Sequence, residues 1–364
     1  MDKHFVHNAF LVLLQAGLWE RKMDDLSCFP LPDEVWKDLF RLAQEQTVTG
    51  ILFRGIQFLP DECLPPPALL MRWVAAVDAI ERKNRKMNRV IDEFYTRFAE
   101  TGPVPVLQKG QGVALCYASP LLRECGDIDF YFTDKAYSEK ILSDMQKQGI
   151  PVRRQPDGSA FYVWQGIDIE HHTRLFDCYN PFFRKYLKTL ERQWGWQNVK
   201  ISQESGKKIT IPSPFLNILL LNLHILKHTL GRGIGMRQLC DMARACYMFR
   251  HEIDDEKMML ANKRLGLEKW NNLLWAFLVN VLGFPKAYLP GVEMASTAGP
   301  LLDIVWKGGN FGLHAERSLS ASASVFSRKM HTARAFLGNI GFSFRYAPKE
   351  VSWLCLDLLK GQFK

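Results

Sequence analysis

A chain of 364 residues, 47% apolar and 23% charged, is long enough for two or three packed units, and its composition excludes intrinsic disorder. The formal net charge of +9 favours phosphate-bearing ligands such as nucleotides or nucleic acid, although a basic solvated surface accounts for the same excess. Eight cysteines (Cys28, Cys63, Cys116, Cys125, Cys178, Cys240, Cys246 and Cys355) show no C-x-x-C and no regular spacing, which excludes a disulfide framework and points to reduced, mainly buried thiols in a cytoplasmic protein.

The apolar run at residues 9–14 is interrupted by Gln15 and followed by Glu20, Arg21 and Lys22, with no small-residue cleavage site, so it reads as an amphipathic helix and not as a signal peptide. Pro32-Asp33-Glu34 opens a second helix carrying Val35, Leu39, Leu42 and Ala43. After Pro65-Pro66-Pro67, residues 68 to about 100 run without proline or glycine. Their apolar stripe comprises Trp73, Val74, Val77, Ile80, Met87, Val90, Ile91 and Phe94, which fits core packing.

Thr101-Gly102-Pro103 ends that helix and the periodicity changes. A short strand at residues 104–107 precedes Lys109-Gly110 and a small helix. An acidic strand at 127–132 follows, then a helix opened by Thr133-Asp134. Residues 152–155 and 160–170 read as two strands around the turn Pro156-Asp157-Gly158-Ser159. Helices return over 214–230, 237–250, 254–265 and 267–282, with a flexible break at Gly308-Gly309-Asn310-Phe311-Gly312 and a last helix near 348–359. The run at 215–226 contains Asn217, Asn222 and His224 and is too short to span a bilayer, so no membrane partner is expected. The fold class is therefore α+β: an N-terminal helical region (1–100), a core built on a small mixed sheet (101–205) and a C-terminal helical domain (206–364).

The chemistry gathers in the core. Strand alternation puts Asp127 and Asp129 on one face, with Ile128, Phe130 and Phe132 free to pack on the other. Two neighbouring carboxylates are costly to bury without a cation, and rigid oxygen donors suit Mg²⁺, which bridges carboxylates to phosphates. Upstream, Gly110 lets the backbone approach a phosphate at a helix start. Downstream, Asp168, Glu170 and His172 share a face, so either acid could be the third carboxylate. His171 and His172 lack the further ligands of a zinc site, and His172 reads as support for Glu170. His224 and His228 share a helix face that packs or lines a pocket, and the spacing of Arg237 and Asp241 fits an i, i+4 salt bridge.

Three segments resemble those of a family of uncharacterised bacterial nucleotidyltransferases in the DNA polymerase beta-like superfamily. The family's L-K-G element reads here as Gln108-Lys109-Gly110. Its Y-x-x-P-x-x-R-x-x-G-D-I-D element spans Tyr117, Pro120, Arg123, Gly126, Asp127, Ile128 and Asp129, and its E-x-H is Glu170-His171-His172. The segment from His224 and His228 to Arg237 and Asp241 looks like the family's H-x-x-x-H…R-x-x-x-D. The resemblance implies a polymerase beta-like core that moves an NMP from an NTP, such as ATP, to a hydroxyl acceptor on a small molecule, protein or RNA. Asp127, Asp129 and Glu170 would be the metal-binding catalytic acids for Mg²⁺ (or Mn²⁺). Lys109, Gly110 and Arg123 would face the nucleotide, Arg123 alternatively pairing with Asp127 or Glu124 to order its loop. Gln111 stands where the wider superfamily carries serine or glycine, so Lys109 or backbone N–H groups must supply that phosphate contact. Two rival readings are a D-x-D glycosyltransferase using a nucleotide-sugar, disfavoured by the helical residues before the motif, and a nucleotide-binding homologue without turnover. Nucleic acid is not singled out as a partner, and acceptor, base preference and oligomeric state are not encoded in recognisable form.

Overall fold

The computed structural model describes residues 3–155, 157–201, 208–231, 233–288, 293–308 and 338–362. Four helices come first: α1 (Lys3–Trp19), α2 (Asp33–Glu45), α3 (Thr49–Ile56) and the long α4 (Pro67–Thr101). Strand β1 (Val106–Gln108) leads into the short α5 (Gly110–Ala114), and β2 (Ile128–Tyr131) into α6 (Lys135–Lys147). Asp134 caps α6, its carboxylate accepting from the N–H groups of Ala136 and Tyr137. Strands β3 (Arg153–Arg154), β4 (Ala160–Trp164) and β5 (Ile167–His172) complete a five-stranded sheet of order β1-β2-β5-β4-β3. The pairing is antiparallel except between β2 and β5, which run parallel. This is an α+β protein with a small mixed sheet.

The expected single strand over 160–170 is corrected to two. Gln165 (φ 50°) and Gly166 (φ 74°) both take positive φ and form a tight two-residue hairpin turn, a backbone that hydrophobic patterning does not reveal. Of the expected turn before β4, Pro156 lies outside the described residues; Asp157 closes it by accepting from the N–H and hydroxyl of Ser159. Two further elements were not anticipated: α7 (Pro181–Trp194), and a hairpin of β6 (Trp196–Lys200) and β7 (Lys208–Pro212). Tyr95 fixes that hairpin beside β1, since its hydroxyl lies 2.8 Å from the carbonyl oxygen of Pro105 and accepts from Thr210 N–H.

Helices α8 (Pro214–Leu230), α9 (Met236–Met248), α10 (Asp255–Arg264), α11 (Glu268–Asn280), α12 (Gly299–Gly308), α13 (Ile340–Tyr346) and α14 (Pro348–Gln362) follow. Of the expected break around 308–312, residues 309–312 lie outside the described residues. Among the described residues no helix is long and apolar enough to cross a membrane.

Buried apolar side chains form two clusters, and the sheet divides them. On one face Ile128, Phe130 and Phe132 pack with Ile169 and Tyr162 against Met87, Ile91, Phe94 and Phe98 of α4 and Ile141 and Leu142 of α6. Removing each large side chain from water contributes about 1.5–3 kcal/mol, which anchors the strand that carries the acids. The expected α4 stripe is buried at Trp73, Val77, Met87 and Phe94, whereas Val74 is 41% exposed. On the other face Val106 and Tyr131 join a larger cluster shared by α1 to α3 and α8 to α12. Asp129, alternating with Ile128 and Phe130 in β2, therefore lies on the face opposite α4, with Tyr131.

Candidate active site

One row of the sheet organises the site. Register sets Gln108 of β1 opposite Asp129 of β2, and Asp129 opposite Glu170 of β5. Immediately after Gln108 the chain turns through two successive positive-φ residues, Lys109 (φ 43°) and Gly110 (φ 42°), the second of which opens α5. For lysine that backbone costs on the order of 1–3 kcal/mol. It places Lys109 Nζ 3.5 Å from Asp129 Oδ2, in a site where both side chains are largely withdrawn from water.

Asp129 has a second partner. His172 Nε2–H donates to Asp129 Oδ1 at 2.6 Å and lies 3.7 Å from Glu170 Oε2. The expected support for Glu170 is thus directed first to Asp129. Burial works to raise the Asp129 carboxyl, but the Lys109 charge and the His172 hydrogen bond outweigh it and hold the group well below the usual carboxylate range. The same contacts act in reverse on the cations. Burial disfavours the charged forms of Lys109 and His172, yet the surrounding carboxylates raise both above their ordinary values.

The ligand atoms of Asp129, Glu170 and His172 all lie within 4.8 Å of one another and could hold a metal ion. Asp127 is not in that group. It sits on the exposed edge just before β2, and the charge of Asp129 pushes its carboxyl up to about 6. Asp168 is exposed one residue pair further along β5, so Glu170 is the acid that the register sets beside Asp129.

Two neighbours escaped the sequence reading. Asp177 follows β5 in a loop and pairs with Lys227 of α8 at 2.7 Å. Burial raises Asp177, but Lys227 overcomes it and keeps the carboxylate ionised. No spacing signals this contact, because loop and helix meet only in three dimensions. His224 lies beside the same group: burial, then the charges of Lys109, His228 and Lys227, lower it well below the ordinary histidine value, so it is neutral. Its ring meets that of His228 edge-on at 4.4 Å.

Arg123 departs from the expectation of a phosphate contact. Only 5% exposed, it donates from Nε to Asp241 Oδ1 at 3.0 Å and from Nη2 to Asp241 Oδ2 at 2.5 Å, while the Tyr117 hydroxyl donates to Oδ1 at 2.8 Å. Its ion-pair partner is neither Asp127 nor Glu124. The clamp ties the loop entering Gly126-Asp127 to α9. Asn84 of α4 secures the same loop, donating to the carbonyl oxygens of Leu121 and Arg123. Gln111 also turns inward, donating to the Asn84 carbonyl and accepting from Cys125 Sγ.

The model of a family described as uncharacterised nucleotidyltransferase matches residues 32–283, and the chain belongs to that family. A search of curated proteins finds no match. One solved structure it resembles is an antigenic nucleotidyltransferase-like protein from Paracoccidioides brasiliensis, at 13% identity over 57% of this chain and 94% of that chain, with a TM-score of 0.32. A likeness at that level carries no weight beside the family match.

Proposed function

We propose that the protein is a Mg²⁺-dependent nucleotidyltransferase that moves an NMP from an NTP to a hydroxyl acceptor. The observation that carries this reading is the row Asp129–Glu170 on parallel neighbouring strands, with Lys109 alongside, in a member of a nucleotidyltransferase family. The donor set fits a hard divalent ion: carboxylate oxygens lie at the edge of a rigid sheet, where the Lys109 charge and the His172 N–H now offset theirs. Asp129 and Glu170 would hold the metal, with Asp127 joining from the rim. When bound, the metal neutralises charge on the triphosphate as pyrophosphate leaves.

The remaining chemistry belongs to this chain. Lys109 and the backbone at Gly110 bind phosphate oxygens at the start of α5. Glu170, half-exposed beside the acid row, takes the proton of the acceptor hydroxyl as that oxygen bonds to the α-phosphorus and the α–β bridging bond breaks. The sheet holds these groups in line, and alignment supplies much of the rate.

The test is to incubate purified protein with Mg²⁺ and each of four labelled NTPs and to follow binding and pyrophosphate release with candidate acceptors. An Asp127→Ala/Asp129→Ala double variant serves as the control. Metal-dependent NTP binding lost in the control is expected. Binding of a nucleotide-sugar but of no NTP overturns the reading in favour of glycosyl transfer.

A further inference from the structure

Arg237 stands in the first turn of α9, and its spacing fits an ion pair with Asp241 one turn on. That pair is not made. Both oxygens of Asp241 are taken by Arg123, and Tyr117 adds a third contact. Arg237 donates from Nη1 to the carbonyl oxygen of Glu124 at 2.9 Å, and its Nε is buried without a partner. Among the described residues no carboxylate lies within ion-pair distance of it.

That environment is unfavourable for a guanidinium on three counts. Burial, and then the charge of Arg123, both work against its charged form, and the Asp241 and Glu124 carboxylates offset them only in part. The first turn of a helix is also the positive end of the backbone dipole, which repels a cation. A single hydrogen bond to a neutral carbonyl needs no charge at all, so tethering the Glu124 loop does not account for an arginine here. What the position offers is proximity to the acid row: Arg237 Nη1 holds the carbonyl oxygen of Glu124, three residues before Asp127 on the loop that enters β2.

We propose that Arg237 is an anion-binding residue of the candidate site, and that its missing counter-ion is the polyphosphate of the nucleotide. The inference rests on the nucleotidyltransferase reading and extends it, because Arg237 and Lys109 then contribute phosphate contacts from two different elements, α9 and the β1–α5 turn. A guanidinium suits that task, since its forked N–H donors match two phosphate oxygens at once. Arg123 and Arg237 thereby divide the work: one guanidinium is closed on a carboxylate and sets the loop, and the other is left open for a ligand.

The test measures binding of Mg²⁺ with inorganic tripolyphosphate, and with each NTP, to the full-length wild type, Arg237→Gln and Arg237→Lys, together with ligand-free melting and Mn²⁺ binding. The expected result for Arg237→Gln is a loss of about tenfold or more in tripolyphosphate and NTP affinity, a smaller loss for Arg237→Lys, and melting and Mn²⁺ binding that do not fall. If the wild type binds tripolyphosphate and Arg237→Gln binds it equally well, the assignment of Arg237 is overturned while the proposed function stands. If the wild type binds neither tripolyphosphate nor any NTP, the proposed function itself falls. A variant that loses tripolyphosphate and Mn²⁺ binding together, with lower melting, shows a structural role and overturns the inference. Should Arg237→Gln not fold, Arg237→Lys carries the test: unchanged tripolyphosphate affinity in that variant overturns the proposal.

Discussion

Two charged clusters lie close together in this molecule and are built on opposite principles. In the clamp, Arg123 and Asp241 meet in bidentate geometry, both nearly fully buried, and Tyr117 adds a further donor to the same carboxylate. In the acid row, Asp127, Asp129 and Glu170 share Lys109 and His172, and the row opens to solvent at Asp127. A closed pair holds a loop in place and leaves nothing for a ligand. An under-neutralised row keeps a loop poised for one, and its unequal proton affinities record that imbalance.

Breaking the two clusters therefore affects different observables. The largest effect on stability is expected from Asp241→Ala, which strands Arg123 in the interior and costs about 3–5 kcal/mol in urea unfolding. In the row, Asp129→Ala is expected to lower nucleotidyl transfer by about 10³-fold, while Asp127→Asn leaves the unfolding midpoint unchanged or slightly raised at neutral pH. The two acids are separated by measuring transfer and urea midpoints on the same preparations.

Acidity sharpens the contrast further. The Asp127 carboxyl is raised to about 6, so the folded protein holds that proton where the unfolded chain has lost it. Its contribution to stability therefore falls as pH rises from the ordinary carboxylate value to about 6. Mn²⁺ affinity should move the other way, rising with pH through about 6 and levelling off above, and Asp127→Asn should flatten that rise. Urea midpoints from about pH 4 to about pH 7 and calorimetric Mn²⁺ titrations from about pH 5 to about pH 8 check the two curves.

The smallest effect belongs to a pair with the geometry of the clamp and none of its burial. Arg154 and Glu139 are bidentate at 2.8 and 2.7 Å, but both side chains are about half exposed. Glu139→Ala is expected to cost at most about 1 kcal/mol, a difference that salt should erase. A larger loss would mean that geometry, and not burial, separates the clamp from an ordinary surface pair.

Much of this organisation is written locally along the chain. Alternation in residues 127–132 places Ile128 and Phe130 in the core under α4, leaving the acids on the opposite face. The proline- and glycine-free run before residue 101 folds as α4, and Asp134 caps α6. These features follow from side-chain period and capping, which act over a few residues. The turn at Gln165-Gly166 was missed because a positive φ at glutamine leaves no mark on hydropathy. The β6–β7 hairpin was missed because its order depends on Tyr95, more than a hundred residues earlier in the chain.

At the site the same division holds. Residue types and spacing put Asp127 and Asp129 on one face and left Asp168 or Glu170 as the third acid; the family resemblance favoured Glu170, which the register sets beside Asp129. They also left the partners of Arg123 and His172 open or misassigned, and gave no sign of Asp177 and Lys227. An ion pair is chosen by distance and desolvation in three dimensions, and neither quantity has a period in sequence. Asp241 lies one helical turn from Arg237 and yet closes on Arg123, 118 positions away. Only the packing of α9 against the loop before β2 could decide which arginine was satisfied and which was left with a buried, unpartnered Nε.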